Sequence, residues 1–201
     1  MFSYKTKINK AGRPVSIDKK TITKRCLEFY LLNGIDNQSF NNVIKYAGVS
    51  KGSIYRLYGS EDSLQKASLV EYYNSFIKER FLDFKSNQVT IKKIIMDLTS
   101  GLISNRYKVC LFHRSRMERY KLGKEAKDYI DTLETKIEKF YTKLIKNQLL
   151  LSKKKVTKTE IKNLVTFFIN GITTLNLLKL NNSSHRLILG YANTLIKMTN
   201  K

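Results

Sequence analysis

The sequence predicts an all-α protein of about nine helices, and three features point that way. Apolar residues recur at three- and four-residue spacing along nearly the whole chain, the period of a helix with one buried face. The apolar-polar alternation of a half-buried strand is almost absent. Pro14 is the single proline of the 201 residues, so the periodic segments run uninterrupted, with serines, threonines and glycines at their ends as caps and stops.

The first helix starts near Asp18, turns Ile22, Cys26, Phe29 and Tyr30 inward, and stops at Asn33-Gly34. Ser39 can cap a short second helix bearing Phe40, Val43, Ile44 and Ala47, which Gly48 ends. Ser50 caps a third, with Ile54, Leu57 and Tyr58 facing in and Gly59 closing it. Ser60 opens a fourth, where the Glu61 and Asp62 carboxylates meet the positive end of the helix dipole, and its apolar residues carry it to about Phe84. Longer amphipathic segments follow at about 89–105, 109–120, 124–151, 159–180 and 184–199, with Thr157 and Glu160 spaced as a capping box. In the last two, Ile161, Leu164, Val165, Phe168, Ile169, Ile172, Leu175 and Leu178 leave one helix apolar on more than one face, and Ile188, Tyr191, Leu195 and Met198 stripe the other. Such helices need cover on several sides, which points to a homodimer through this pair; deep burial within one subunit would also satisfy them.

Lys and Arg number 38 against 16 Asp and Glu, a net charge of +22. The excess is spread along the chain, with 11 cations against 3 acids in residues 1–60. A basic protein gains free energy by releasing counterions from nucleic-acid phosphates. A lysine-rich composition that merely coats the fold gives the same number. Cys26 and Cys110 show no CxxC or Cys/His spacing, so neither a disulfide framework nor a structural zinc is expected. His113 and His185 lack a partner at ligand spacing, and no metal site is expected from them. Neither a nucleophile-base pair nor a cofactor loop occurs, which argues against an enzyme. No signal-like apolar stretch opens the sequence, and residues 165–180 are interrupted by Asn170, Thr173, Thr174, Asn176 and Lys179. A cytoplasmic protein with no membrane partner and no cofactor is expected.

Helices two and three, joined by Ala47-Gly48-Val49-Ser50, read as a helix-turn-helix. With Ile54, Leu57 and Tyr58 facing in, Lys51, Gly52, Ser53, Tyr55 and Arg56 remain on the outer face. Gly52, lacking a side chain, would let the backbone come close to a phosphate or base edge.

On these residues, positions 17–64 resemble the DNA-binding domain of the TetR/AcrR family of bacterial transcriptional regulators. Gly48-Val49-Ser50, Gly52, Ser53, Ile54, Tyr55, Tyr58, Ser60, Asp62 and Leu64 follow the family pattern, with Ile22, Phe29, Gly34, Phe40, Val43, Ile44 and Ala47 in register upstream. The resemblance implies that Lys51 and Tyr55 touch phosphates or bases, that Ser53 and Arg56 sit near base edges, and that Ser39 and Asn41 hold the DNA backbone. Arg56 is then the guanine reader through its bidentate fork, and Ser50 and Gly52 complete the face. Glu61 departs from the pattern, standing where the family usually carries a phosphate-contacting lysine, so that clamp is expected to be lost. Lys5, Lys7, Lys10 and Arg13 precede the first helix, and Gly12-Arg13-Pro14 is similar to the minor-groove arms of some family members.

The resemblance further implies a homodimer and an inducer pocket in the C-terminal helices. Tyr107, Phe112, His113, Met117, Phe140 and Phe168 are the lining candidates, and ordinary core packing would explain each of them as well. Lys108-Val109-Cys110-Leu111 resembles the Gly-Cys-Leu segment of a branch in which a cysteine senses electrophiles or oxidants. Arg106, Lys108, Arg114 and Arg116 would favour the thiolate, and Lys179 would lie nearby. Cys110 as a small buried hydrophobe is the other reading, and Cys26 is read as core.

The expected organisation is a basic arm (residues 1–15), a helix-turn-helix DNA-binding domain (16–60, with the start of the fourth helix) and a ligand-binding and dimerisation domain (61–201). The expected function is that of a sequence-specific regulator, a repressor released from a palindromic double-stranded operator when a small-molecule inducer shifts the dimer to a splayed form. Thiol sensing through Cys110 and weakly specific, architectural DNA binding are the alternatives.

Overall fold

A computed structural model describes residues 18–35, 39–79, 81–82, 89–105, 109–151 and 156–199. The basic arm with Arg13, and the 106–108 stretch with Tyr107, lie outside the described residues. Nine α-helices are present, and no strand occurs among the described residues. They are α1 Lys19–Asn33, α2 Phe40–Ala47, α3 Lys51–Tyr58, α4 Glu61–Tyr72, α5 Ile91–Ile103, α6 Leu111–Met117, α7 Lys124–Leu151, α8 Lys158–Leu180 and α9 His185–Thr199. A π-helical turn, Tyr73–Ile77, extends α4, and a 3-10 turn, Arg119–Lys121, follows α6.

The caps form where the sequence spaces them. The Ser39, Ser50 and Ser60 hydroxyls accept from the backbone N–H three residues on, and Thr157 and Glu160 complete a capping box. Asp62 stands in the first turn of α4 as read, and it does more. Its carboxylate reaches across to the start of α7, accepting from Glu125 N at 2.7 Å and Ala126 N at 2.9 Å. Ser63 Oγ donates to Glu125 at 2.5 Å, and Lys66 pairs with the same carboxylate at 3.2 Å. Gly123 is required there, because a Cβ would overlap the Asp62 carboxyl.

Helices α1 to α4 form an N-terminal unit, with α2 and α4 packed on α1 and α3 packed on α4. Beyond it α4 lies along α7, and α8 is central, in contact with α5, α6, α7 and α9. The two parts meet again where Arg114 of α6 donates to the Asn33 carbonyl at the end of α1, at 2.5 Å, while Glu118 holds the same guanidinium at 2.8 Å.

Helix α8 is long and apolar enough to cross a membrane by length and composition, yet Val165, Phe168, Ile169, Ile172 and Leu175 are buried in the bundle. Most of the residues that suggested an intersubunit surface are thus used inside the subunit, as are Ile188 and Leu195 of α9. One outward strip consists of other residues, with Arg186 and Lys197 of α9 exposed beside it. Phe167, Asn170 and Leu177 on α8 and Leu187, Gly190, Thr194 and Met198 on α9 are exposed, with Thr174 and Tyr191 partly so, and none of them is charged.

Asp62→Ala should destabilise the fold by about 1–2 kcal/mol through the lost cap on α7. Urea denaturation monitored by circular dichroism would measure this, and an unchanged midpoint would remove Asp62 from the junction.

Candidate nucleic-acid interface

Helix α3 has only eight residues, too few to be stable alone, so its inner face must be anchored. Ile54 is fully buried, and Leu57 and Tyr58 pack against the core. The Tyr58 hydroxyl lies 2.9 Å from the Lys19 carbonyl and 2.8 Å from Thr23 Oγ1, tying the end of α3 to the start of α1. Partial burial pushes the Tyr58 phenol above its usual range, so it stays a neutral hydrogen-bonding group.

The turn is equally constrained. Gly48 adopts φ 69°, ψ 36°, a left-handed conformation that side chains rarely take, and Val49 N donates to the Ile44 carbonyl at 3.1 Å. Arg25 of α1 caps the end of α2, donating to the Ala47 carbonyl at 3.0 Å. This contact has no local signature, since Arg25 lies 22 residues away along the chain.

On the outer face, Lys51, Gly52, Tyr55 and Arg56 are exposed side by side. A Cβ on Gly52 would meet only Ser50 Oγ at 3.9 Å, so nothing inside the protein requires glycine there. Since glycine costs about 1 kcal/mol relative to alanine in a helix, its presence points outward, to a surface that must come close. Tyr55 keeps 45% exposure although it is aromatic. Its ring meets Phe40 edge-on at 6.0 Å, and the Lys51 ammonium sits 5.8 Å from both ring centres. Phe40, read from sequence as core alone, is therefore the buttress that sets Tyr55 and Lys51. Ser53 is partly buried, with its hydroxyl 2.9 Å from Ser50 Oγ. Ser39 and Asn41 stand exposed at the start of α2. Glu61, first residue of α4, is half-buried; burial pushes its carboxyl up while the nearby Lys51 charge opposes the rise. The acid thus stands at the edge of the face and draws on its lysine.

The pocket candidates are less convergent. Phe112 and Phe168 are core residues, and Phe168 packs on Tyr141 at 4.7 Å. Phe140 stacks instead on Phe81 at 4.1 Å, and Met117 is half-buried at the end of α6. One small cavity, about 20 Å³ among Ile91, Ile145, Gln148, Leu149 and Leu164, has room for a water. His113 is buried with Nδ1 2.7 Å from Thr173 Oγ1, which also accepts from Arg116 at 3.2 Å, while Arg116 pairs with Glu134 at 2.7 Å. Burial, then the Arg116 charge, pushes the imidazole down to about 3.

Cys110 is partly buried and precedes α6. Its sulfur accepts from the Tyr72 hydroxyl at 3.1 Å, and its N–H donates to the Asn176 side chain at 2.8 Å. Lys179 donates to Asn105 at 2.6 Å rather than to the sulfur. Arg114 and Arg116 are held by Glu118 and Glu134, and Arg106 and Lys108 lie outside the described residues. Cys26 is fully buried in α1. Among the described residues no three His, Cys, Asp or Glu are grouped to hold a metal.

An eight-residue helix anchored from behind, set by a glycine turn and basic on its open side, defines a helix-turn-helix protein carrying a larger helical bundle. No protein-family model matches the sequence, nor does any curated protein. Solved structures do match. A cysteine mutant of the TetR family transcriptional regulator CifR, complexed with operator DNA, shares 14% identity over 92% of this chain and 98% of its own, with TM-score 0.70. A TetR family regulator from Agrobacterium tumefaciens gives 10% identity over 90% and 98%, with TM-score 0.74. Reduced NemR from E. coli gives 14% over 88% and 94%, with TM-score 0.67. The chain has the fold of TetR family regulators.

Buried and neutral, His113 makes stability depend on pH. The unfolded chain takes a proton near pH 6.5 that the folded chain refuses until about 3. The stabilisation is complete above pH 6.5 and is lost as pH falls toward 3. Between pH 7 and pH 5 the protein should lose about 2 kcal/mol more than His113→Gln does, read by urea denaturation at each pH. Parallel profiles would contradict the assignment.

Proposed function

We propose that this chain is a homodimeric, sequence-specific DNA-binding regulator, acting as a repressor that a small molecule releases from a palindromic operator. It works in the cytoplasm without catalysis. The observation that carries the reading is the open face of α3, where Gly52 has no internal reason to be glycine and Tyr55 and Arg56 stand in solvent on an otherwise anchored helix. Arg56 reads a guanine edge, Lys51 and Tyr55 take phosphates, and Ser39 and Asn41 fix the register. The uncharged outer strip of α8 and α9, on a chain with 38 cations, fits the two-fold contact that would set two α3 helices on successive major grooves. The buried His113, Thr173 and Arg116 group supplies polar partners for an inducer, whose entry requires the tightly packed interior to open.

Selection from random-sequence duplexes should enrich a palindrome for the wild type. Tyr55→Ala and Arg56→Ala should each lose about 1–3 kcal/mol of specific binding while remaining dimeric in sedimentation. Gly52→Ala should separate fold from function, gaining up to about 1 kcal/mol in stability while weakening operator binding. Thr174→Arg should yield monomers. Equal affinity for selected and scrambled duplexes would leave only weakly specific, architectural binding.

The Tyr72 contact favours a second reading, in which Cys110 is the sensing group. The Tyr72 hydroxyl, donating to the Cys110 sulfur, holds the side chain in one orientation at the entry to α6. An oxidant or electrophile should then release the wild type from DNA but not Cys110→Ser, and Tyr72→Phe should change the rate of alkylation of Cys110. Equal release of wild type and Cys110→Ser would end this reading.

A further inference from the structure

The charge distribution in the helical bundle is uneven along its length. Helix α7 spans 28 residues, about 42 Å, from its junction with Asp62 to its far end. There Gln148 accepts from Ile91 N at 3.2 Å, and Ile91, Ile145, Gln148, Leu149 and Leu164 close round one small cavity. This brings the first turn of α5, the last turns of α7 and the first turns of α8 to one end of the molecule. Lys92, Lys93, Lys143, Lys146, Lys158 and Lys162 are all exposed on these turns.

None of the six has an ion-pair partner among the described residues, although acids are available elsewhere. The described ion pairs all use carboxylates between Glu118 and Glu134, toward the α4 junction. Glu160, the acid in the first turn of α8, is turned back to cap Thr157 through contacts of 2.7 and 2.8 Å. The placement also opposes local electrostatics. Lys92 and Lys93 lie in the first turn of α5, which has no acid, and Lys158 opens α8, so three cations sit at the positive ends of helices. Like charges gathered against the helix dipoles are relieved by a polyanion, which releases its counterions on contact.

We propose that this distal pole is a second nucleic-acid-binding surface, which takes up a further DNA duplex through its phosphates without reading sequence. Duplex DNA fits better than an anionic membrane. The lysines are spread over three helix ends rather than along one amphipathic helix, and the large apolar side chains strongly exposed beside them, Leu150 and Met96, stand singly on different helices rather than forming an apolar face. The inference goes beyond operator recognition and does not need it, because the pole lies away from α3.

The test uses the full chain carrying Tyr55→Ala and Arg56→Ala, binding a random-sequence duplex over a salt series. Adding Lys143→Glu and Lys146→Glu should weaken binding about tenfold or more and lower the slope of log affinity against log salt by about two. Lys121→Glu with Lys127→Glu, an equal change of charge at the opposite, junction end of α7, should have a clearly smaller effect. A duplex tethered to wild-type protein already on its selected site should also capture a second, labelled duplex, and the pole variant should not. The proposal is overturned if the two double variants behave alike, if no second duplex is captured, or if the pole substitutions abolish binding to phosphatidylglycerol vesicles while leaving duplex binding unchanged. Circular dichroism and sedimentation of each variant separate loss of fold from loss of contact, and wild-type enrichment of a palindrome reports operator recognition independently.

Discussion

Two turns of helix cannot hold their own shape in water, and α3 is eight residues long. The N-terminal unit is organised around that deficit. Ile54 goes into the core, Tyr58 closes on the Lys19 carbonyl and Thr23, and Arg25 holds the end of α2 so that the Gly48 turn delivers Ser50 as a cap. With anchoring confined to the inner face, the outer face is freed from any structural duty. Lys51, Tyr55 and Arg56 can therefore be chosen for what they touch outside, and only Phe40 reaches round to steady them.

Under the proposed function, the anchored α3 helix is of use only if the rest of the molecule can move it. Beside the packing of α4 along α7, polar contacts at helix ends contribute to that connection, among them Asp62 capping α7 on one side and Arg114 gripping the end of α1 on the other. Both are charge-assisted hydrogen bonds to backbone groups, short and directional, and they tie helix ends rather than sliding apolar faces. A shift of α6 or α7 by a fraction of a helical turn would break them or carry α1 and α4 along. At the far end of α4 from the first of these contacts, the helix changes to a π-helical turn, and the residue before it, Tyr72, holds Cys110. The helix that joins the two parts is thus irregular where it meets the segment leading into α6.

Helix existence and the turn were legible in the sequence because their causes are local. A serine three residues before the N–H it caps, or a glycine where φ must be positive, is visible without knowing the fold. What escaped the sequence depends on partners far along the chain. Asp62 stands in the first turn of its own helix as read, and it also caps α7, with Gly123 leaving room for it. Lys179 looked like a partner for Cys110 and bonds Asn105. The apolar count of α8 raised the idea of an interface but could not say which residues the subunit itself would consume. The exposed strip proves to be Phe167, Asn170, Thr174 and Leu177, a mixed set with a weak periodic signal. The outer face of α3 fell between these cases: its exposed residues followed from the inward spacing of Ile54, Leu57 and Tyr58, but its buttress Phe40 did not.

In a chain with 38 cations and 16 acids, the positions of the acids say more than those of the lysines. Any surface position is lysine by default, so a carboxylate marks a place where positive charge must be answered. Asp62, Glu118, Glu125, Asp131 and Glu134 all lie near the joint between the N-terminal unit and the bundle, bonded to helix ends or to Lys and Arg from neighbouring segments. The neutral strip along α8 and α9 is the other departure from the default, because two copies of a lysine-coated helix could not approach each other. Positive charge is therefore answered at the joint, sparse where a second subunit would pack, answered on α3 only by Glu61 beside Lys51, and without an ion-pair partner at the described lysines of the far end of α7. An excess produced by composition alone would not respect those boundaries.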